Sequence, residues 1–214
     1  MPASLRITEI FHSLQGESRP VGCRTAFVRL TGCPLRCVYC DTAYAFHGGQ
    51  RVSLTTVLEQ VAAFEVHHVC VTGGEPLAQP ACLDLLMSLC DAGYQVSLET
   101  SGALDIAPVD RRVMVVLDLK TPASGECERN LWTNLAHLKP EDQIKFVVCG
   151  RPDYEWARDQ LRGQGLAARC EVLFSPAWER QPARELAEWI LADRLPGRLQ
   201  VQLHKYLWGD VAGH

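Results

Sequence analysis

Thr25-Ala26-Phe27-Val28-Arg29-Leu30-Thr31-Gly32-Cys33-Pro34-Leu35-Arg36-Cys37-Val38-Tyr39-Cys40-Asp41-Thr42 is an apolar strand pattern that runs straight into a glycine-proline loop carrying three cysteines. The spacing of Cys33, Cys37 and Cys40 is C-x3-C-x2-C, with an aromatic immediately before the last cysteine. Three thiolates so placed can each hold one iron of a four-iron cluster. The fourth iron is then left without a protein ligand, and a small molecule can bind there and accept an electron. Structural zinc normally takes four ligands, often as two C-x2-C pairs. No second pair of similar spacing follows.

Outward from this stretch, short apolar runs alternate with amphipathic ones. The pattern predicts strands over Thr25–Thr31, His68–Thr72, Gln95–Thr100, Val113–Lys120, Gln143–Cys149, Cys170–Ser175 and Leu199–Leu203, with an extra edge strand at Leu5–Ile10. Their near-continuous Val, Leu, Ile and Phe content suits strands covered on both faces. Ser53 is placed to cap a helix reaching Phe64, with Leu54, Val57, Leu58 and Val61 on one face. Pro80 opens a second helix that stops at Gly93, with Leu83, Leu86, Met87 and Cys90 inward. Further helices are expected over Asn130–Leu138, Asp153–Arg162 and Pro182–Leu195. Such alternation implies a parallel sheet. A full eightfold barrel takes about 250 residues, more than the 214 present, and Ser101–Arg112 lacks a helical pattern. The expected fold is therefore α/β: a partial, incomplete parallel β/α barrel with reduced helices, formed as one domain over residues 1–214.

Composition narrows the function classes. Hydrophobic residues at 47% and charged residues at 21% describe a soluble globular chain. The formal net charge of −4 lacks the basic excess of a general nucleic-acid binder. No apolar run is long enough to span a membrane, and the first residues lack a signal-peptide core. A reducing, cytosolic setting is expected. Of the ten cysteines, Cys70, Cys82, Cys90, Cys149 and Cys170 fall in strand or helix patterns and read as small buried hydrophobes. Cys23 and Cys127 receive no role.

In parallel barrels the chemistry gathers at the carboxyl ends of the strands. The cluster loop, residues 32–42, lies at one such end. Thr72-Gly73-Gly74-Glu75-Pro76, Glu99-Thr100-Ser101-Gly102, Asp118-Leu119-Lys120, Ser175-Pro176 and His204-Lys205-Tyr206 lie at others. Two glycines let backbone approach a ligand closely, and Glu75 can accept hydrogen bonds from an ammonium group. At a strand end downstream of the cysteines, Gly73, Gly74 and Glu75 read as a cofactor clamp. Asp118 and Lys120 are either cofactor contacts or a structural ion pair. Ser175 either starts a turn or meets a ribose or carboxylate. His204 is either a substrate ligand or a core histidine, and Glu17 either meets substrate or holds a neighbouring loop.

The cysteine triplet with Tyr39 and the Gly-Gly-Glu-Pro segment resemble the radical S-adenosylmethionine superfamily. The resemblance implies a 4Fe-4S cluster, S-adenosyl-L-methionine on its open iron, and a 5'-deoxyadenosyl radical that abstracts hydrogen from substrate. It places Tyr39 near the adenine and Gly73, Gly74 and Glu75 at the methionine amine. Ser13-Leu14-Gln15-Gly16-Glu17, Arg29, and Cys40-Asp41-Thr42 are similar to the signatures of the 7-carboxy-7-deazaguanine synthase family. The similarity continues through Glu99–Gly102, Asp118–Pro122 and Gln202–Tyr206, nearly the whole chain. It implies ring contraction of 6-carboxy-5,6,7,8-tetrahydropterin to 7-carboxy-7-deazaguanine with release of ammonia, in 7-deazapurine and queuosine biosynthesis. The same resemblance implies Mg2+ at Thr42, cofactor contacts from Ser101, Asp118, Lys120, Ser124 and Ser175, and the terminal residue, His214, near substrate. It also implies an electron donor such as flavodoxin or ferredoxin, and a homodimer. The residue types suit a pterin. Gln15 can both donate and accept along its edge, with the backbone of Leu14 and Gly16 beside it. Arg29 offers a planar fork to a carboxylate, or else pairs with an acidic side chain. Thr72 faces substrate while Gly74 meets cofactor. Magnesium prefers oxygen ligands and retained waters. The tail, residues 204–214, is long enough to fold over the site.

Two other readings remain at this point. An activase that abstracts hydrogen from a partner protein's glycine shares the triplet and the glycine pair, but has no use for Gln15-Gly16-Glu17. An electron carrier or zinc-stabilised binding module would need all its metal ligands from the chain, and only three cysteines cluster.

Overall fold

The computed structural model describes residues 4–213. Nine strands form one sheet: β1 Ser4–Leu14, β2 Arg24–Leu30, β3 Gln50–Ser53, β4 His68–Gly73, β5 Gln95–Thr100, β6 Met114–Asp118, β7 Gln143–Val148, β8 Glu171–Pro176 and β9 Arg198–Leu199. Their order is β3-β1-β2-β4-β5-β6-β7-β8-β9. From β2 to β9 every neighbouring pair is parallel, while β1 joins β2 and β3 antiparallel. The sheet order ends at β3 and β9 without pairing them, so the barrel is open, as its length predicted.

Five helices accompany the sheet: α1 Leu54–Ala62, α2 Cys82–Asp91, α3 Arg151–Gly163, α4 Ala183–Ala192 and α5 Leu203–Trp208. Ser53 caps α1 by accepting from the Thr56 amide at 3.1 Å, an interaction worth about 1 kcal/mol. Among the described residues no helix joins β5 to β6, and after β6 the short 3-10 turns Pro122–Ser124, Cys127–Arg129 and Trp132–Ala136 stand where a helix would, with Pro122 and Gly125 breaking the backbone.

Strand pleating places the site. Side chains alternate between the faces of a strand. Ala26, Val28 and Leu30 of β2, Val69 and Val71 of β4, Val96 and Leu98 of β5, Val115 and Leu117 of β6, and Ile144, Phe146 and Val148 of β7 share one face. They pack against Val57 and Val61 of α1, Leu85, Leu86 and Leu89 of α2, and Tyr154 and Leu161 of α3. Burying each such side chain contributes roughly 1.5–3 kcal/mol. The intervening residues, Phe27 and Arg29, Thr72, Glu99, Val116 and Asp118, Lys145 and Val147, line a cavity on the other face. The prediction of strands apolar on both faces holds for only one of them, because a partial barrel keeps its inner face for a pocket.

Several boundaries differ from the sequence reading. β1 runs four residues beyond Ile10 and pairs with β2, and β3 was not expected. The predicted strand Leu199–Leu203 is only two residues, Arg198–Leu199, and Leu203 instead opens α5. Asn130–Leu138 holds a five-residue 3-10 turn, Trp132–Ala136. In α2 the buried stripe is Cys82, Leu85, Leu86 and Leu89, and Met87 is 47% exposed. The helix starts two residues after Pro80, and its rotation is set by the docking of Cys82 and Leu89 on the sheet. Cys70, Cys82 and Cys170 are buried as expected, whereas Cys90 and Cys149 are only partly so.

Candidate active site

The cavity at the carboxyl ends of the parallel strands has a volume of about 400 Å³. One end is the cluster loop. Cys33, Cys37 and Cys40 all line the cavity as free thiols. Burial pushes all three thiols up, Cys37 to about 11, while the Lys120 ammonium pulls each of them down. Cys40 adds an upward push on both Cys33 and Cys37, which places the three within electrostatic reach of one another. Among the described residues no three His, Cys, Asp or Glu side chains close on a single-ion site. A loop of three neighbouring thiols, one per iron, beside a fixed cation suits an anionic thiolate-bound cluster.

The loop is braced from several elements. Val38 N donates to Ser124 O at 3.0 Å, Arg36 N donates to Glu126 Oε1 at 2.5 Å, and Arg180 donates to Val38 O at 3.0 Å. The glycine pair seats it from below. Gly74 N donates to Leu30 O at 3.1 Å and Glu75 N to Gly32 O at 2.7 Å. A Cβ on Gly74 would lie 2.2 Å from Gly32 O and 2.9 Å from Cys33 Cβ. Gly73 has φ +158°, and a Cβ there would lie 2.3 Å from Leu30 O. The close approach that requires these glycines is thus to the backbone of β2 and the cluster loop.

Glu75 lies beneath the cavity and not on its wall. It is fully buried, and its carboxylate accepts from Leu77 N, Thr100 Oγ1, Ser101 N and Ser101 Oγ at 2.5–3.0 Å. Its structural position is that of an anchor for Ser101, which does line the cavity. Ser124 and Ser175 likewise sit behind the wall. Ser124 Oγ donates to Thr121 O, and its carbonyl holds the cluster loop. Ser175 is 2% exposed within β8. His214 lies outside the described residues.

The remaining expected residues converge on the cavity: Leu14, Gln15, Gly16, Glu17, Arg29, Tyr39, Thr42, Thr72, Gly73, Gly74, Asp118, Lys120 and His204. Gln15 is 2% exposed. Its Oε1 accepts from Glu17 N, and its Nε2 is buried beside the Cys70 thiol with no hydrogen bond of normal geometry among the described residues. Tyr39 Oη and Asp118 Oδ1 are also buried and unpaired. Arg29 stacks between Phe11 and Tyr44, its guanidinium 5.8 Å from each ring, and its Nε donates to Glu9 Oε1 at 2.6 Å. Tyr44 Oη donates to the same oxygen at 2.8 Å. The Glu9 contact uses one of the five Arg29 guanidinium N–H groups.

Two residues of the cavity floor had no sequence assignment. Lys145 of β7 pairs with Glu17 Oε2 at 2.8 Å and stands 3.8 Å from Asp118 Oδ2, which Lys120 also holds at 2.9 Å. Burial disfavours Glu17 ionisation, but Lys145, His204 and Gln202 together hold its carboxyl below the usual range. Burial likewise opposes charge on Lys145, and Glu17, Asp118 and Glu99 hold its ammonium well above its usual range. Glu99 is pushed up by burial, then by Glu17 and Asp118, against Lys145 and Arg29. The available signal was a lysine inside the otherwise apolar run Ile144-Lys145-Phe146-Val147. Asp118 and Lys120 do form an ion pair, the alternative to cofactor contact, and both line the cavity.

The tail closes the cavity against the Gln15–Glu17 loop. Leu203 N donates to Gly16 O at 3.0 Å, and Gln202 Nε2 donates to Glu17 Oε1 at 2.9 Å. A Cβ on Gly16 would lie 1.9 Å from His204 Nδ1, so only glycine admits the histidine. Burial lowers the His204 pKa against the opposing pull of Glu17 and Asp41.

An open parallel sheet with three thiols on a loop after its first parallel strand, seated on a Gly-Gly turn, defines the radical S-adenosylmethionine class. The model of the radical SAM superfamily matches residues 27–121. The E. coli QueE crystal structure covers 94% of this chain and 95% of its own at a TM-score of 0.73 and 24% identity, a likeness of fold. The 7-carboxy-7-deazaguanine synthase of Chlorobaculum tepidum is 46% identical over 98% of this chain and 97% of its own length, and that of Koribacter versatilis 42% identical over 95% and 97%. The chain belongs to the 7-carboxy-7-deazaguanine synthase family.

Proposed function

We propose that the chain contracts 6-carboxy-5,6,7,8-tetrahydropterin to 7-carboxy-7-deazaguanine with loss of ammonia, a step in 7-deazapurine and queuosine biosynthesis. One observation carries the reading: a single cavity is lined both by three thiols and by Gln15, whose amide Nε2 is buried with no hydrogen bond among the described residues. A buried donor without a partner costs about 1–3 kcal/mol, which a flat heterocycle with edge acceptors removes. Loss of one ammonia accounts for every atom separating substrate from product, so no net oxidant is consumed.

Cys33, Cys37 and Cys40 would hold a 4Fe-4S cluster with one iron open to S-adenosyl-L-methionine, and the two together would supply the radical chemistry that removes hydrogen from the pterin. Gly73, Gly74, Ser101, Tyr39, Asp118 and Lys120 form the cofactor side. Gln15 and the backbone of Leu14 and Gly16 read the pterin edge. Arg29, clamped at Nε by Glu9, offers its remaining donors to the substrate carboxylate. Thr72 and His204 complete the substrate wall, and α5 with the Gln15–Glu17 loop excludes water. Glu75, Ser124 and Ser175 act from behind the wall. The Thr42 hydroxyl donates its proton to Asp41 Oδ1 at 2.8 Å, which leaves its oxygen lone pairs for a hard cation, and Mg2+ with substrate oxygens and water suits that donor. A one-electron donor of the flavodoxin or ferredoxin kind is required, the partner is a small molecule, and a homodimer is the assembly. Ten free cysteines suit a reducing cytosol, and among the described residues no helix is long and apolar enough to cross a membrane.

The test is anaerobic reconstitution with iron and sulfide, then incubation with S-adenosylmethionine, dithionite and the carboxytetrahydropterin. 7-Carboxy-7-deazaguanine and ammonia should appear in equal amounts, and Cys37→Ala should abolish both. A reconstituted, S-adenosylmethionine-responsive cluster that forms no deazaguanine overturns the assignment.

A further inference from the structure

Lys205 is a lysine where solvent exposure is the norm, yet its side chain is 4% exposed. Its ammonium lies 3.1 Å from Asp41 Oδ2 and 3.0 Å from Asp210 Oδ1, with the Trp178 ring centroid at 5.9 Å. Asp41 is on the cluster loop, between Cys40 and Thr42, whereas Lys205 and Asp210 are on the tail. Gln202 Nε2 reaches the same Asp41 oxygen at 3.2 Å while donating to Glu17. The other Asp41 oxygen accepts the Thr42 hydroxyl. One carboxylate therefore joins the tail, the Gln15–Glu17 loop and the cluster loop. His204, adjacent to Lys205, rests on Gly16 at a distance that leaves no slack.

We propose that Lys205 is a positioning residue: through Asp41 it clamps α5 onto the cluster loop, and so sets His204 and Thr42 on the substrate side of the cavity. Burying an ammonium is unfavourable unless it is paired and hydrogen-bonded. Here the pairing partner is supplied by a distant part of the chain, and the pair forms only when the tail is docked. Helix α5 is six residues long, too short to persist by propensity alone, so its docking rests on such contacts. The clamp deepens the proposed function and rests on it only for the identity of the substrate.

The experiment uses the full chain, reconstituted anaerobically, as wild type, Lys205→Met and Lys205→Arg. Without substrate, amides of residues 203–208 and 14–17 in Lys205→Met should exchange hydrogen at least about tenfold faster while β4 to β7 are unchanged. The KM for the pterin should rise about tenfold or more and that for S-adenosylmethionine should stay within about twofold. Lys205→Arg, which keeps the charge, should recover most of both. If Lys205→Met does not fold, Lys205→Gln, which keeps one donor, is read in the same way. Unchanged exchange in α5 overturns the clamp, and so does faster exchange with an unchanged pterin KM. The exchange measurement needs no turnover, so a wild-type chain that makes no deazaguanine overturns the function while still deciding the clamp.

Discussion

Replacing Lys145 by methionine removes the cation from the carboxylate-lined floor of the cavity. Lys145 and Glu17 side chains are 10% and 11% exposed and their charged atoms are 2.8 Å apart. Breaking a buried pair by deleting one partner costs about 3–5 kcal/mol, because the other charge stays buried and unmatched. Gln202 still donates to Glu17 Oε1, which favours the lower figure, about 3 kcal/mol. For a domain of this size that is a fall in Tm of roughly 6–12 °C. The pH dependence is more diagnostic. In the wild type the folded Glu17 pKa lies below its ordinary 4.5. Its contribution is therefore complete above that value and is lost as pH falls through the folded pKa. Lys145, with its folded pKa raised above 10.5, contributes throughout the neutral range and loses its share only at strongly basic pH. Without Lys145, burial dominates at Glu17 and lifts its pKa above 4.5. The folded state then binds more protons than the unfolded state between those values, and stability falls as pH rises through that window. Urea unfolding of the cluster-free chain at about pH 5 and about pH 7 reads the change in slope: the wild type carries the contributions of Glu99 and His204, and relative to it Lys145→Met gains stability at the lower pH. Adding Glu17→Gln should return most of the loss. A Lys145→Met Tm within about 2 °C of wild type, or one with no gain on acidification, refutes the reasoning.

Two further outcomes follow from the same contacts. Gly74→Ala drives a methyl group into Gly32 O and Cys33 Cβ, so the reconstituted variant should keep its far-UV circular dichroism while iron content falls roughly several-fold. Glu75→Gln replaces one acceptor oxygen with an NH2 donor facing the Thr100, Ser101 and Leu77 donors and should cost about 2–3 kcal/mol in denaturant unfolding, with the variant still monodisperse.

Much of the architecture was legible because it depends on local chemistry. Ser53 caps α1 as its hydroxyl predicts, and β5 spans Gln95–Thr100 as the apolar run and following Ser-Gly require. The cysteine triplet and the glycine pair were legible as motifs, and both fall at strand ends around one cavity. The rest depended on partners far away in the chain. The inward face of α2 was misjudged because helix rotation is settled by the sheet beneath it. Glu75 reads as a ligand group in a short motif, but Thr100 and Ser101, 25 and 26 residues away, claim its oxygens. Lys145 gave the signal of a charge in an apolar strand, but its partner Glu17 is 128 residues away.

The sequence by itself determined the alternation of strands and helices, the thiol triplet and the strand ends where chemistry could gather, since each depends on periodicity or spacing within a few residues. Only the tertiary structure decided which side chains share the inner face, that Glu75 turns beneath the wall, and that Lys205 and His204 fold back onto Asp41 and Gly16. A hydrophobic repeat specifies whether a segment is helix or strand, because that depends on neighbours within a few residues. The pairing of two charges across more than a hundred and sixty positions is specified by sheet order and tail docking, which exist only once the chain has closed on itself.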